Sequence, residues 1–211
     1  MKPLKLIPFD DAIDLRPTQT RMVTAQYDEE GIIVYQAYND AIADYVLEHQ
    51  QFGGDFKLGR MTWIKPNFLW MMHRSDWAKS KNQERILAIK ISHTFFLSLL
   101  EQAVLTSYFS AVYPTQEAWK AALESSEVRV QWDPYYNLYD QKQQFKAIQI
   151  GLKSNMAIQY AQQKILQVQD VTDYAQQLHS LLLNNQRSAI ELPEENHYQL
   201  PGHLYHHLLI G

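Results

Sequence analysis

The chain has 211 residues, of which 46% are hydrophobic and 20% are charged, and this ordinary globular composition excludes a disordered or collagen-like protein. Its formal net charge of −4 excludes a global positive field that would draw the chain to nucleic acid or anionic lipid, although a local basic patch stays open. The sequence contains no cysteine, which excludes disulfides, thiolate metal sites and cysteine nucleophiles.

The N-terminal residues and the hydropathy of the chain lead us to expect a soluble, cytoplasmic protein with no membrane partner. Prolines at positions 3 and 8 and acidic residues at 10 and 11 interrupt the apolar run that a signal peptide needs. A membrane span needs about 18 consecutive apolar residues, and the sequence has no such run. The length predicts a single domain, residues 21–211, after an N-terminal arm, residues 1–20.

Apolar periodicity and turn residues predict helices and strands in irregular order. The predicted strands are 21–27, 32–38, 84–92, 128–133 (ended by Pro134) and 147–152, with a further extended segment at 56–64. The predicted helices are 40–50, 67–77, 94–105, about 115–125, 155–164 and 171–184, with a short terminal helix within 192–211. Strand 84–92 is apolar on both faces, which is typical of a central strand. The order predicts an α+β fold, a single compact domain with a mixed or antiparallel central sheet flanked by helices.

The common nucleotide and hydrolase motifs are absent from the sequence, including the glycine-rich phosphate loops and the nucleophile elbow. His203, His206 and His207 have the spacing i, i+3, i+4 and would share one face of a helix, as metal ligands can. A solvated C-terminal helix is the favoured explanation of these histidines, and we predict no metal site.

Cationic and aromatic side chains are concentrated in residues 59–77. Arg60, Lys65, His73 and Arg74 are difficult to assign to a core, because cations are rarely fully buried unless they are paired. Together with Trp63 they are typical of a pocket for an anionic, aromatic ligand such as a nucleotide, with guanidinium groups on phosphate and a ring on the base. Surface salt bridges explain the same residues.

A second candidate group lies where the strand 32–38 meets the next helix. Tyr35 and Gln36 face opposite sides of that strand, and Gln36 offers both a donor and an acceptor. Asn39 is placed either to cap the helix or to contact a ligand. Capping and tyrosine packing explain this group without a ligand.

The later strands add a third group. In VRVQWDP, residues 128–134, Arg129 and Gln131 share one face of the strand, and Asp133 follows them. Gln149 lies between two isoleucines, and a polar side chain in such an apolar run needs a partner if it is buried. Structural pairing and a ligand site both stay open here.

These motifs resemble a widespread family known as a domain of unknown function, family 4291. The motifs are, in chain order, YQAYN at 35–39, RMTWIKPxFLWMMxRSxW at 60–77, VRVQWDP at 128–134, IQIGL at 148–152 and LPxExxYxLP at 192–201. The resemblance extends from about residue 21 to residue 201 and implies no established activity.

The opening strand and helix are also similar in layout to ADP-ribosyltransferases, in which Tyr-His-Gly-Thr precedes a helix. That similarity implies NAD as cofactor, with strand residues on its nicotinamide and ribose and a late-strand glutamate that orients the ribose. In this sequence Gln36 replaces the histidine, and Gln149 is the nearest late-strand polar residue. Both are departures, because a neutral amide does not stabilise an oxocarbenium-like centre as a carboxylate does.

We therefore predict a pocket for a small-molecule nucleotide, with NAD as cofactor and, if the protein is an enzyme, transfer of ADP-ribose to an unknown acceptor. The predicted catalytic residues are Gln36, Asp133 and Gln149. The predicted ligand-binding residues are Tyr35, Asn39, Arg60, Trp63, Lys65, Arg74 and Arg129. Two alternatives stay open. One is a non-catalytic module that binds single-stranded nucleic acid, and the other is a protein-interaction adaptor with an exposed, flat surface at residues 63–77.

Overall fold

Helices and strands follow one another irregularly in the computed structural model, which describes residues 4–211. The strands are β1 (Leu6–Pro8), β2 (Thr24–Ala25), β3 (Gly31–Tyr38), β4 (Thr62–Ile64), β5 (Arg85–Ser92), β6 (Val104–Leu105), β7 (Val128–Tyr136), β8 (Lys142–Leu152), β9 (Ile165–Asp170), β10 (Glu191–Pro193) and β11 (Asn196–His197). The α-helices are α1 (Phe9–Asp14), α2 (Asp40–His49), α3 (Phe68–Ser75), α4 (His93–Gln102), α5 (Gln116–Ser125), α6 (Ser154–Gln159), α7 (Thr172–Leu183) and α8 (Gly202–Leu208). A π-helical turn, Tyr160–Lys164, follows α6 directly. The predicted α+β class is confirmed.

Two sheets organise the domain. The first has the order β3-β5-β9 and is antiparallel, with the apolar strand β5 in the middle as predicted. The second has the order β4-β8-β7-β6, and only its β6–β7 pair is parallel among the strands of that sheet. The two sheets meet where the Tyr35 N–H donates to the Lys65 carbonyl at 2.7 Å. The sequence predicts a single central sheet, whereas the described strands form these two sheets and two further two-stranded pairs, β1–β10 and β11–β2.

The main core fills the space between the inner faces of the two sheets. Ile64 of β4, Ile150 of β8 and Val130 of β7 lie in one register row, and all three side chains are completely buried. Burial of each such side chain contributes about 1.5–3 kcal/mol to folding. Because side chains alternate along a strand, the neighbours of these three residues point to the opposite face of the second sheet. That face carries the candidate site described below.

Residues 6–14, near the start of the described chain, pack against the rest of the domain. Strand β1 pairs antiparallel with β10, and Phe9 of α1 is buried in the core beside the first sheet. We expected an unpatterned arm at residues 1–20, and its residues 1–3 lie outside the described part of the chain. No helix within residues 4–211 has both the length and the apolar character to cross a membrane.

Several predicted elements have different bounds in the structure. Strand β7 continues through Pro134, because the register shifts between Pro134 and Tyr136 and the missing N–H is tolerated at this irregularity. The predicted strand 21–27 is reduced to β2, and the extended segment 56–64 to β4, since turns occupy most of residues 53–61. The predicted helix 94–105 ends early and is followed by β6, while strand β9 was not predicted.

Helix α3 is anchored at its first residue by the C-terminal part of the chain. The Phe68 N–H donates to one carboxylate oxygen of Glu195 at 2.5 Å, and the Asn67 amide donates to the other at 3.0 Å. Asn67 also donates to the carbonyl of Thr24, at 3.1 Å. Glu195 therefore satisfies a free N–H at the start of the helix, as a capping residue does, and together with Asn67 joins the start of α3 to β2 and to the residue before β11.

The carboxyl group of Glu195 provides a pH-dependent test of this anchor. Burial raises its pKa to about 7 from the ordinary 4.5, although its two hydrogen bonds to residues 67 and 68 favour the ionised form. The folded protein therefore holds the proton more tightly than the unfolded chain. We expect the wild type to lose stability relative to Glu195→Gln as the pH rises from about 4.5 to about 7. Urea unfolding of both proteins across this range measures the free energy of unfolding of the wild type minus that of the variant, and a value that stays constant or rises with pH would contradict the burial of this carboxyl group at the anchor.

Candidate functional site

A cavity of about 850 Å³ opens on the outer face of the second sheet. Four side chains on adjacent strands line it, Trp63 and Lys65 at β4, Gln131 on β7 and Gln149 on β8. They face the cavity because their neighbours Ile64, Val130 and Ile150 point into the core. The end of β3, Thr62 of β4, the start of α2, the side of α3 and the turns at residues 53–61 and 79–83 provide the remaining lining. The sheet thus presents one apolar and one polar face.

The structure brings together seven of the ten predicted site residues around this cavity. They are Gln36, Asn39, Arg60, Trp63, Lys65, Arg74 and Gln149. These residues come from three separate motifs in the sequence, at 35–39, 60–77 and 148–152, so their assembly is a property of the tertiary fold. Their chemical roles stay predictions.

Two predicted ligand-binding residues lie elsewhere. Tyr35 is completely buried on the other face of β3, where its ring packs edge-on against Phe68 with 5.5 Å between ring centroids. Arg129 extends towards helix α5, where its guanidinium group donates to the Leu123 carbonyl at 3.1 Å. Neither lines the cavity. Strand alternation explains Tyr35, and a free carbonyl in the last turn of α5 explains Arg129.

Gln36 lines the cavity, but its amide group is engaged within the protein. Its nitrogen donates to the Thr62 hydroxyl at 2.7 Å and to the Trp63 carbonyl at 3.0 Å. Its oxygen accepts a hydrogen bond from the Tyr160 hydroxyl at 2.7 Å. Both donors and the acceptor are therefore used, and they connect β3, β4 and the π-helical turn. Gln36 fixes the position of Trp63 through this network.

Lys65 is the most unusual residue of the site. The residue is only 6% exposed, yet it lines the cavity, and its amino group has no hydrogen-bond acceptor or carboxylate partner within residues 4–211. Burial lowers its pKa to about 8, and the positive charge of Arg74 acts in the same direction, whereas Asp133 raises it. An ammonium group on a largely desolvated residue, with no ion-pair partner among residues 4–211, opposes folding, so an anion in the cavity would be bound favourably.

Asp133 lies next to the cavity lining, behind Gln131. The Gln131 amide donates to one carboxylate oxygen of Asp133 at 2.7 Å, and the other oxygen is buried close to the Trp70 indole, which also lowers the pKa of Asp133. Burial raises the pKa of Asp133, while the hydrogen bond from Gln131 and the charge of Lys65 lower it. Asp133 thus orients the Gln131 side chain and partly balances Lys65.

Trp63 lies directly on the backbone of its neighbour in the second sheet. Trp63 and Gly151 are register partners, and a Cβ atom at residue 151 would be 2.9 Å from three atoms of the indole ring. Only glycine leaves room for the ring in this position. Trp63 is partly exposed and lines the cavity, as do Tyr38 and Phe56. The cavity therefore has an aromatic side as well as a cationic one.

Two further cations of the cavity, Lys57 and Lys81, are not predicted by the sequence. With Arg60, Lys65 and Arg74 they make five cationic side chains in the lining, against the single carboxylate of Asp55. Both missed lysines lie on exposed turns, and no periodicity or motif distinguishes them from solvated surface lysines. The excess of positive charge gives the cavity a field that attracts anions, although the whole chain has a net charge of −4.

The other tryptophans of the long motif do not form an exposed surface. Trp70 is 9% exposed and Trp77 is 8% exposed, so both belong to the core. The flat aromatic surface that an adaptor would need is therefore not formed by these side chains. The C-terminal histidines lie on α8, where His203 is 3.9 Å from a Glu101 carboxylate oxygen. No group of three metal-ligating side chains is formed in the part of the chain that the structure describes.

Comparison with known families agrees with the motifs of the sequence. A family model described as "Domain of unknown function (DUF4291)" matches residues 22–198, which include every residue that lines the cavity. No match is found among curated proteins.

The unpaired charge of Lys65 predicts a characteristic pH dependence of stability. The pKa of this amine is about 8 in the folded protein and 10.5 ordinarily, so folding is opposed while the amine is protonated in both states. We expect Lys65→Met to be more stable than the wild type at neutral pH, by on the order of 1–3 kcal/mol. The advantage should shrink as the pH rises above 8. Urea unfolding of both proteins between about pH 6 and about pH 10 measures this, and a variant less stable at neutral pH would contradict the burial of an unpaired ammonium group.

Proposed function

The chain belongs to the DUF4291 family, and we propose that its cavity binds a nucleotide, with NAD as the ligand and transfer of ADP-ribose as the reaction. The observation that carries the proposal is Lys65, a residue that is only 6% exposed and lines the cavity, and whose amino group has no ion-pair partner among residues 4–211. Such a group is complemented by an anion that enters the cavity, and phosphate is the anion that nucleotides provide.

The neighbouring cations favour a ligand with more than one phosphate. Arg74 lies in the last turn of α3, close enough to Lys65 to lower its pKa, and Arg60 lines the same cavity. Guanidinium groups bind phosphate oxygens with two parallel hydrogen bonds, whereas an ammonium group acts as a compact charge. We assign Arg60, Lys65 and Arg74 to the pyrophosphate of the dinucleotide.

The aromatic and amide side chains suit the remaining parts of a dinucleotide. Trp63, fixed on Gly151, offers a ring for stacking with the nicotinamide or the adenine. Asn39, Gln131 and Gln149 line the cavity and offer donors and acceptors to ribose hydroxyls and to the carboxamide. The Asn39 oxygen already accepts from the Ile42 N–H at 3.1 Å, so its amide nitrogen is the group assigned to the ligand.

Transfer of ADP-ribose breaks the bond between C1′ of the ribose and the nicotinamide nitrogen. The electron pair of that bond leaves with the nicotinamide, which becomes neutral, and a lone pair of the acceptor forms the new bond to C1′. The proton of the acceptor passes to water in the open cavity. We assign Gln149 to the ribose as a hydrogen-bonding group. Asp133 is a positioning residue that acts through Gln131.

Titration calorimetry with NAD tests the proposal. We expect the wild type to bind NAD, and Arg74→Ala to weaken binding at least about tenfold, because a hydrogen bond to a charged group contributes about 1.5–3 kcal/mol. The melting temperature of the variant should stay close to that of the wild type, since Arg74 is exposed and has no ion pair in the described chain.

Lys120→Ala is the control, because Lys120 is also an exposed cation, lies outside the cavity lining and has no ion pair among residues 4–211. It should bind NAD with wild-type affinity. The proposal is contradicted if the wild type does not bind NAD, or if the folded Arg74→Ala variant binds it as well as the control does. ATP, GTP and ADP-ribose in the same assay identify which part of the dinucleotide is recognised.

A further inference from the structure

The positive charge of the cavity lining exceeds the negative charge of the proposed dinucleotide ligand. Its lining holds five cationic side chains and one carboxylate. NAD has one negative charge on each of its two phosphates and a positive charge on its pyridinium ring. After Arg60, Lys65 and Arg74 are assigned to the pyrophosphate, Lys57 and Lys81 have no function in the proposed reaction.

These two lysines lie on turns that border the same end of β3. Lys57 belongs to a turn in which the Arg60 N–H donates to the Lys57 carbonyl at 3.0 Å. Lys81 belongs to the loop before β5, in which the Gln83 N–H donates to the Ser80 carbonyl at 2.9 Å. Both lysines are exposed, and neither is within 4 Å of a carboxylate oxygen among residues 4–211. We call Lys57 and Lys81 the rim lysines.

Aromatic and amide groups line the cavity beside the rim lysines. Phe56 and Tyr38 are in edge-on contact, with 5.8 Å between their ring centroids, and both line the cavity. Asn82 and Gln83 lie next to Lys81 and are part of the lining too. Cations for a backbone, rings for stacking and amides for base edges are the groups that bind single-stranded nucleic acid.

We propose that the rim lysines bind the backbone of a single-stranded nucleic acid and that this nucleic acid is the ADP-ribose acceptor, an inference that rests on the proposed function. One nucleotide of the single strand enters the cavity, and a lone pair on an oxygen or nitrogen atom of that nucleotide forms the new bond to C1′ of the NAD ribose. The nicotinamide leaves with the electron pair of the broken bond, and the proton of the acceptor passes to water. A duplex does not fit this site, because its bases are stacked and paired. An acidic peptide would use the charges but not the rings.

The test compares two double variants in binding to a fluorescent single-stranded oligonucleotide of about ten nucleotides. Lys57→Gln/Lys81→Gln removes the rim lysines. Lys120→Gln/Lys142→Gln is the matched control, because these lysines are equally exposed and lie outside the cavity lining. We expect the rim variant to bind the oligonucleotide at least about fivefold more weakly than the wild type at moderate salt. The plot of log affinity against log salt should become less steep by about 1.4, that is, by about 0.7 for each lost phosphate contact. The control variant should resemble the wild type.

Two further readouts separate this inference from the proposed function. NAD binding, measured by calorimetry without oligonucleotide, should be the same in the rim variant and the wild type. After incubation with NAD, mass spectrometry should find the oligonucleotide heavier by one ADP-ribose unit with the wild type. If NAD does not bind to the wild type, the proposed function fails. If NAD binds, three binding results would overturn the inference alone: equal affinity of both double variants for the oligonucleotide, equal affinity of the wild type for duplex and single strand, or displacement of the oligonucleotide by polyglutamate. An oligonucleotide that stays unmodified after incubation with NAD would overturn it too.

Discussion

The positive charge of Lys65, a largely buried residue that lines the cavity, is the constraint on which the geometry of the candidate site depends. A lysine that is 6% exposed and has no partner in the described chain makes folding less favourable, so its position has to be maintained by the rest of the structure. The alternation of β4 places it there, because Ile64 points into the core and its two neighbours point out of it. The same alternation places Gln131 and Gln149 beside it on β7 and β8.

Two hydrogen-bond networks hold the walls of the cavity around this charge. Gln36 uses its whole amide group to connect β3, β4 and the π-helical turn, which fixes the strand that carries Trp63 and leads into Lys65. Glu195 and Asn67 hold the start of α3, the helix whose last turn carries Arg74. Both networks join segments that are far apart in the sequence. The geometry of the cavity is therefore coupled to the stability of the whole domain.

The sequence predicts those residues of the site that are polar although their neighbours in the sequence are apolar. Lys65 and Gln149 are polar residues in apolar segments, and both line the cavity. Tyr35 was assigned to the pocket because alternation separates the two faces of β3 without identifying the face that borders a cavity. Lys57 and Lys81 were missed because their meeting depends on the packing of two turns. Strand β1 was missed because its partner, β10, lies near the other end of the chain.

The most direct test of the account measures the proton that Lys65 takes up when its anion binds. The pKa of the free amine is about 8, so at that pH about half of the molecules are neutral at Lys65, and a phosphate placed beside it would raise the pKa. Calorimetry of NAD binding at about pH 8, in two buffers with different enthalpies of ionisation, should report an uptake of up to about half a proton for each NAD bound. The uptake should vanish in Lys65→Met. Binding with no proton uptake in the wild type, or no binding at all, would contradict the assignment of Lys65 to the ligand.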